Sequence, residues 1–375
     1  MSVINDLYTD PRVDKTCLTL VNMGFEVVLI GCRHRHSPAL LPRVYQTRRL
    51  RLLFKKGPLF FAEFNIKLFF YLLFKRCDIL TANDLDTLLP NFLISRLRSK
   101  KIVYDSHEYY CNLISVIHRP FVRKVWLSIE KFCFPKLKHI TTVCDSIAQA
   151  YQKEYGVEVK IVRNIPPKTN PPITENRATL ALPEDKIIVI LQGNNISEDR
   201  GAEELIEAMP YVKDALLLIV GDGTALPALK VRVKELGIAE RVVFTGRVQA
   251  DLLYNYTYLA DIGVSFEKGN SLSYYYSLPN KIFEYMKADT PFISSNLPER
   301  VAIVEKYNTG IIIDNLAPQI IANAINEMTE NKALYQQFKA NCPLAAQELN
   351  WENEERVIRE VYDECGANSA AKSKE

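Results

Sequence analysis

At 375 residues the chain is two to three times a typical single-domain length, so two domains are expected. Its 48% hydrophobic and 24% charged residues match soluble globular proteins and exclude a largely disordered or fibrous chain. The net charge of +3 hides an imbalance: residues 1–165 hold 26 Lys and Arg against 14 Asp and Glu, net +12, while the remainder holds 21 against 30, net −9. A basic half suits an anionic partner such as nucleic acid, acidic lipid or a phosphorylated acceptor, and charge alone does not choose among them. The first ten residues show neither a basic start nor an apolar run, which predicts a cytoplasmic protein, and the brevity of the first strand hints at a start further upstream. Eight scattered cysteines without a C-x-x-C pair predict free thiols, with neither disulfide framework nor zinc.

In chain order, short aliphatic runs alternate with longer amphipathic segments, the pattern of parallel sheets covered by helices. Strands are expected near Ser2–Asn5, Glu26–Cys32, Asp78–Asn83, Lys101–Asp105, His139–Cys144 and Glu158–Arg163. The proline-rich stretch from Ile165 to Pro172 can neither continue a helix nor join a central strand, so a linker is placed at 166–180. A second series follows, near Lys186–Gln192, Ala215–Gly221, Arg241–Thr245, Ile262–Phe266, Pro291–Ser295 and Gly310–Asp314. The fold class is therefore α/β, with two Rossmann-like doubly wound domains, 1–165 and 181–348, facing a ligand cleft. A helix over 349–365 is expected to pack back across the junction, and 366–375 is read as a disordered tail.

Between the first strands, residues 48–76 mix Arg48, Arg49, Arg51, Lys55, Lys56, Lys67, Lys75 and Arg76 with eight aromatic residues and one acid, Glu63. Polar residues interrupt the apolar run well short of the ~20 needed to span a bilayer. The mixture suits a helix lying on an anionic membrane or a nucleic-acid surface, and equally a helix whose phenylalanines pack on the sheet. Further on, Asp84-Leu85-Asp86 has the spacing of a metal-holding D-x-D pair, but Asp86 sits where a helix N-cap is expected and the phosphate-type loops lie in the second half, so a structural role is expected.

Two clusters in that second half carry chemistry. Strand, glycine loop and helix run from Ile190 through Gly193 and Asn194 to Arg200-Gly201, an arrangement that aims backbone N–H groups and a guanidinium at phosphate oxygens; an ordinary strand-to-helix turn reads the same way. The second is Ser277-Leu278-Pro279-Asn280-Lys281-Ile282-Phe283-Glu284-Tyr285-Met286. Pro279 suits a helix start with Ser277 as its cap, and Glu284 one turn inside could accept two ribose hydroxyls or merely complement the helix dipole.

These clusters, with Val220-Gly221-Asp222-Gly223 and Val243-Phe244-Thr245-Gly246-Arg247-Val248 between them, resemble retaining glycosyltransferases of family 4 (glycosyl transferases group 1), which have the GT-B fold. Thr9-Asp10-Pro11-Arg12-Val13, Gly24-Phe25-Glu26-Val27 and Tyr104-Asp105-Ser106-His107-Glu108 extend the resemblance over most of the chain. It implies a hexosyl transfer from a nucleotide-sugar, bound in the second domain, to a glycan or lipid-linked acceptor on the first, without metal or other cofactor and without nucleic acid. By the same resemblance Arg200 binds the donor diphosphate, Glu284 the ribose, and Thr245 to Val248 the base. Gly193, Asn194, Gly221, Asp222, Pro279, Asn280 and Lys281 complete the donor site, while Asp105 and His107 lie on the acceptor side, His107 beside the transferred sugar. Two positions depart from the family: Asn194 stands where a second phosphate-binding cation is usual, with Lys281 as its candidate replacement, and Tyr276 stands where the sugar-contacting glutamate is usual. Glu267 is near, at a different spacing. An epimerase or hydrolase of the same fold, or a non-catalytic sugar-nucleotide or glycan binder, stays open as an alternative.

Overall fold

A computed structural model describes residues 1–366 other than Thr9 and His36. The expected tail therefore lies, from 367 onward, outside the described residues. The chain forms two compact units, one built from Met1–Asn164 with Ser271–Ser273 and the segment from Asn353, the other from Ile165–Asn270 and Tyr274–Glu352.

The first unit is a parallel sheet with strands β1 (Val28–Arg33), β2 (Gln46–Arg51), β3 (Ile79–Asn83), β4 (Lys101–Ser106), β5 (His139–Thr142) and β6 (Lys160–Ile161). The N-terminal residues join its two parts: Ser2 bridges both Ile30 of β1 and Ala82 of β3, and Val3 N donates to Ile30 O at 2.9 Å. The order is thus β2, β1, the N-terminal segment, β3, β4, β5, β6, with the direction of progression reversing at the N-terminal segment. Helix Pro11–Asn22 starts on Asp10, whose carboxylate accepts from Val13 N, and on Pro11, whose missing N–H costs nothing there.

The expected strands are present, most within about two residues, except Ser2–Asn5, where only the isolated bridges at Ser2 form in place of a strand. β2 was not anticipated: QTRRLR reads as solvated charge, but an edge strand has one open side and accepts that composition. The 48–76 segment is accordingly not one helix. It divides into β2, a loop, and helix Pro58–Phe74. Phe64, Leu68 and Leu72 of that helix are buried against Ile30, Leu80 and Ile94, so part of it does pack on the sheet. The N-cap near Asp84 also shifts: helix Leu85–Leu97 is flanked by Asp84, and Asp86 lies inside its first turn.

The second unit holds β7 (Ile187–Gly193), β8 (Ala215–Gly221), β9 (Val242–Gly246), β10 (Ile262–Ser265), β11 (Phe292–Ser295) and β12 (Gly310–Ile313), in the order β12-β11-β10-β7-β8-β9, all parallel. Both faces are covered, so the strands read as near-continuous apolar runs; every residue of β8 is buried. Progression reverses between β7 and β10, the place where an open α/β sheet leaves a crevice beyond its carboxyl ends. No helix or strand lies between β6 and β7, where the linker was expected. The last helix among the described residues is Trp351–Glu364, and from Asn353 it belongs to the first unit. Tyr362 shares a hydrogen bond of 2.6 Å with Thr81 there.

Candidate functional site

Three close backbone approaches shape the loop after β7. A Cβ on Gly221 would come within 1.9 Å of Gly193 O, and one on Gly223 within 2.2 Å of the Ile196 backbone. Only glycine lets these strand ends lie so close, and Ile196 then exchanges backbone bonds with Asp222 (2.9 Å) and Ala225 (3.1 Å). Gly201, at φ +68, sits on Phe266, whose carbonyl a Cβ would meet at 2.3 Å. The turn ending in Arg200 is thereby pressed against the end of β10.

Arg200 does not point to open solvent there. Its Nη1 lies 3.2 Å from Glu267 Oε1, and its guanidinium is 5.4 Å from the Tyr274 ring centre. Lys281 Nζ reaches the same Oε1 at 3.0 Å, while Arg300 Nη2 reaches Oε2 at 2.9 Å. Ser265 donates to Oε2 at 2.8 Å. Burial opposes a charge on Glu267, but Lys281, Arg300 and Arg200 outweigh it and hold the carboxyl well below the carboxylate range. Burial lowers Lys281 and Arg300 from their ordinary values, with Glu267 opposing that shift in both. Three cations around one carboxylate leave a local net charge of +2. Among the described residues, Nε and Nη1 of Arg300, which is fully buried, have no hydrogen-bond partner.

Helix Asn280–Lys287 is seated by Tyr285, whose ring fills the space over Gly263 and whose hydroxyl lies within hydrogen-bond distance of Val264 O (3.0 Å) and Ile190 O (3.2 Å). That fixes Lys281 one turn earlier and Glu284 beside it. Glu284 accepts from Gln192 Nε2 at 2.5 Å, and Thr257 donates to Gln192 Oε1 at 2.7 Å. The helix starts after Pro279, but Ser277 does not cap it: its hydroxyl donates to Tyr274 O and accepts from Arg300.

The structure therefore brings Arg200 and Lys281 together on one carboxylate and sets Glu284 on Gln192. Gly193, Asn194, Gly221 and Asp222 stand at the ends of β7 and β8, Pro279 and Asn280 at the helix start, and Thr245, Gly246, Arg247 and Val248 at and just beyond the end of β9, two strands from β7. Asn194 and Arg247 are exposed and Tyr276 is half-buried. Sequence reasoning missed Arg300 and Gln192. Neither carries a local signal, since Arg300 meets Glu267 across 33 positions and Gln192 reads as the end of an apolar strand.

In the first unit, Asp105 at the end of β4 takes a two-point contact from buried Arg12, Nη2 to Oδ1 at 2.6 Å and Nε to Oδ2 at 3.1 Å. Thr141 donates to Oδ1 at 2.7 Å. His107 Nε2 lies 3.0 Å from Asp105 Oδ2, its Nδ1 3.5 Å from Asp84 Oδ2, and its backbone N donates to Asp84 Oδ1 at 2.8 Å. Burial favours a neutral imidazole, but Asp84 and Asp105 outweigh it and push His107 up to about 9. Both ring nitrogens face carboxylates, so His107 is an imidazolium at neutral pH and no proton acceptor in this arrangement. Asp84 and Asp86 do not converge as a pair: Asp84 serves His107, and Asp86 accepts from Tyr110 at 3.3 Å.

Among the described residues no helix is long and apolar enough to cross a membrane. Two family descriptions match the chain, Glycosyltransferase Family 4 over residues 12–167 and Glycosyl transferases group 1 over 172–343, one on each side of the proline-rich join. Among curated proteins, the lipopolysaccharide core biosynthesis glycosyltransferase LpsD of Rhizobium meliloti is 26% identical over 227 residues, 59% of this chain and 62% of that protein. Alpha-D-kanosaminyltransferase of Streptomyces kanamyceticus is 24% identical over 188 residues, 49% and 47%. The chain thus spans about half the length of the curated relatives it matches. Of solved structures, sucrose-phosphate synthase of Thermosynechococcus elongatus superposes with a TM-score of 0.76 at 20% identity, covering 95% of this chain and 93% of the other. Anabaena HepE in complex with UDP-glucose gives 0.74 at 16%, covering 97% and 98%. With both halves matched and both units Rossmann-like, the chain belongs to the family 4, group 1 glycosyltransferases and has their GT-B fold.

Proposed function

We propose that this protein transfers a hexosyl group from a nucleotide-sugar to a glycan or lipid-linked acceptor, with retention of configuration, in the synthesis of a cell-surface polysaccharide or glycoconjugate. The observation that carries the reading is the net +2 set of Arg200, Lys281, Arg300 and Glu267 beyond the carboxyl ends of β7 and β10. A sugar diphosphate brings about two negative charges and gains more as its glycosidic oxygen leaves, so fixed cations stabilise the departing group more than the bound substrate. Arg200 and Lys281 contact the diphosphate, Lys281 replacing the cation absent at Asn194, and Glu284 holds the ribose. The acceptor oxygen bonds to the anomeric carbon as the carbon–oxygen bond to the diphosphate breaks, and the acceptor's proton passes to the leaving phosphate. His107, charged and fixed by Asp84 and Asp105, sets a positive charge and a rigid wall beside the transferred sugar. HepE's UDP-glucose and the lipopolysaccharide role in LpsD's name support a nucleotide-sugar donor and a glycolipid-type acceptor.

The charge for the leaving group comes from side chains, so the reaction runs without a metal. A lipid-linked acceptor requires the first unit to reach the cytoplasmic face of a membrane, and residues 48–76 supply cations and apolar side chains for peripheral contact. The deciding experiment is a panel of nucleotide-sugars screened by thermal stabilisation and followed by product analysis. A ligand at 100 times its Kd stabilises by roughly 2.7 kcal/mol. One donor should stand out and yield a glycosylated product with retained configuration; binding without any transfer, or release of free sugar alone, would overturn the proposal.

A further inference from the structure

Helices Pro58–Phe74, Leu85–Leu97 and Pro120–Cys133 lie on one face of the first sheet, because each forms the crossover, or part of it, into the next strand of the series β3, β4, β5, and such crossovers are right-handed. Ring contacts tie them together: Phe61 to Trp126 at 5.4 Å and Phe92 to Phe132 at 5.6 Å. Each buries one stripe and leaves large apolar side chains on its outer side. Leu59, Ile66, Phe70 and Phe74 follow one another along the first helix at helical spacing, with Phe74 80% exposed. Leu93 and Leu97 do so on the second, and Phe121, Val125 and Phe132 on the third, where Phe121 is 78% exposed.

Charge on these helices is sorted by sign. They carry three carboxylates in all, and none is presented outward. Asp86 and Glu130 are buried, and the Glu63 side chain, 10% exposed, accepts from the backbone N–H groups of Leu53 and Phe54 and from Lys67. Cations remain outside: Lys55, Lys56, Lys75 and Arg76 flank the first helix, and Arg96, Arg119, Lys124, Lys131 and Lys136 occupy or flank the other two. A cavity of about 350 Å³ on the third helix adds a place for an anion, lined by Arg123, Lys124, Lys131 and Ser128 over Ile117 and Leu127. Arg123 is steadied by Cys111 O and Asn112 Oδ1 at 3.1 and 3.2 Å.

We propose that the outer face of all three helices, not the 48–76 segment alone, is a docking surface for an anionic lipid bilayer, with a lipid headgroup phosphate in the cavity beside Arg123. Among the flanking residues Asp78 is fully exposed, paired with Lys100 at 3.6 Å. Cations in clear excess over outward carboxylates attract an acidic surface, and exposed phenylalanines and leucines at intervals of about one helical turn suit shallow insertion. The inference rests on the membrane reading above and enlarges it to helix Pro120–Cys133, which sequence analysis left out.

The test uses the full chain and vesicles of phosphatidylcholine with or without phosphatidylglycerol, read by sedimentation, with thermal unfolding confirming that each variant is folded. Wild type should bind the anionic vesicles, more strongly at low salt. Replacing Phe121, Val125 and Phe132 together by Ser should weaken binding at least tenfold at every salt concentration. Replacing Arg119, Lys124 and Lys131 by Gln should weaken it at low salt by about fivefold per cation and flatten the salt dependence. If both third-helix variants bind like wild type while Leu59, Phe70 and Phe74 changed to Ser abolish binding, the enlargement is wrong and the narrower membrane reading stands. If wild type ignores anionic vesicles at low salt, both fall. If wild type is a dimer in solution that the Phe121, Val125 and Phe132 variant splits, a second copy covers this face and the lipid proposal is overturned.

Discussion

The two units use the same sheet type and the same strand ends to build charge clusters of opposite construction. In the second unit three cations crowd one carboxylate, Glu267, and the set keeps a net charge of +2. In the first unit two carboxylates flank His107, and Arg12 closes on Asp105, so two positive and two negative groups neutralise one another. A cluster left with unbalanced charge is prepared for an ion that is yet to arrive. A balanced cluster is prepared to hold a shape. Under the proposed function that difference gives anion binding to the second unit and fixed positioning to the first, and each of the following experiments would break or sharpen it.

The largest effect should come from Glu267→Gln, since it leaves three cations facing one another around a buried amide. Breaking a buried ion pair typically costs about 3–5 kcal/mol, and denaturant unfolding should show a loss of that order. The double variant with Arg300→Met should recover part of the loss, because one repelling charge is gone. Asp105→Asn should cost less, as Asp84 still faces His107 and Val162 O still accepts from Arg12 at 2.6 Å. Wild-type stability in Glu267→Gln would show that the carboxylate is no hub.

Next in size are Arg200→Ala and Glu284→Ala, which remove the proposed diphosphate and ribose contacts while leaving the buried Glu267–Arg300 pair in place. Each should lower turnover by around a hundredfold, about 3 kcal/mol at the transition state, with unfolding little changed. His107→Ala should instead reduce transfer far more than nucleotide binding, measured by calorimetry with the nucleoside diphosphate. Equal losses of binding and transfer in that variant would erase the functional distinction between the units.

The charge state of His107 makes a pH prediction with a definite sign. Its folded value of about 9 lies above its ordinary 6.5, so the protonated ring stabilises the fold fully below pH 6.5, and that contribution is lost as pH rises through 9. The side chain is 17% exposed, and the full swing is of the order of 3 kcal/mol. Unfolding free energy measured from pH 6 to 10 should fall more steeply in wild type than in His107→Gln. Parallel curves would mean that the imidazole is not held charged.

How far these clusters could be read beforehand follows from the range of their contacts. The second unit's strands were legible because a parallel sheet buried on both faces must be written in aliphatic runs, as in Ala215–Gly221. Gln46–Arg51 was illegible because its edge position relieves it of that rule. Arg200, Lys281 and Glu284 stand in local motifs and could be found by eye. Arg300 could not, since it enters the site from a helix after β11 and is recognised only when Glu267 lies beside it. The imidazolium state of His107 was equally hidden, because Asp84 and Asp105 approach it from the ends of two different strands.

The smallest expected effect is none, and it discriminates well. If the second unit's cations carry the leaving diphosphate, activity should persist in EDTA, because Arg200, Lys281 and Arg300 already supply the charge that a divalent ion would bring. The only aspartate pair with metal-binding spacing lies in the other unit, and its members are turned to different partners, Asp84 to the His107 backbone and ring and Asp86 to the Tyr110 hydroxyl. Gathering them on a metal would cost both contacts and release His107 from one of the carboxylates that keep it charged. Complete loss of transfer in EDTA, restored by Mg²⁺ or Mn²⁺ and abolished again by Asp84→Asn, would therefore transfer the charge-supplying role to the first unit and reverse the comparison. Retained activity, with an inhibitory effect of added phosphate or nucleoside diphosphate that Arg200→Ala weakens, would place the anion where the unbalanced cluster predicts it.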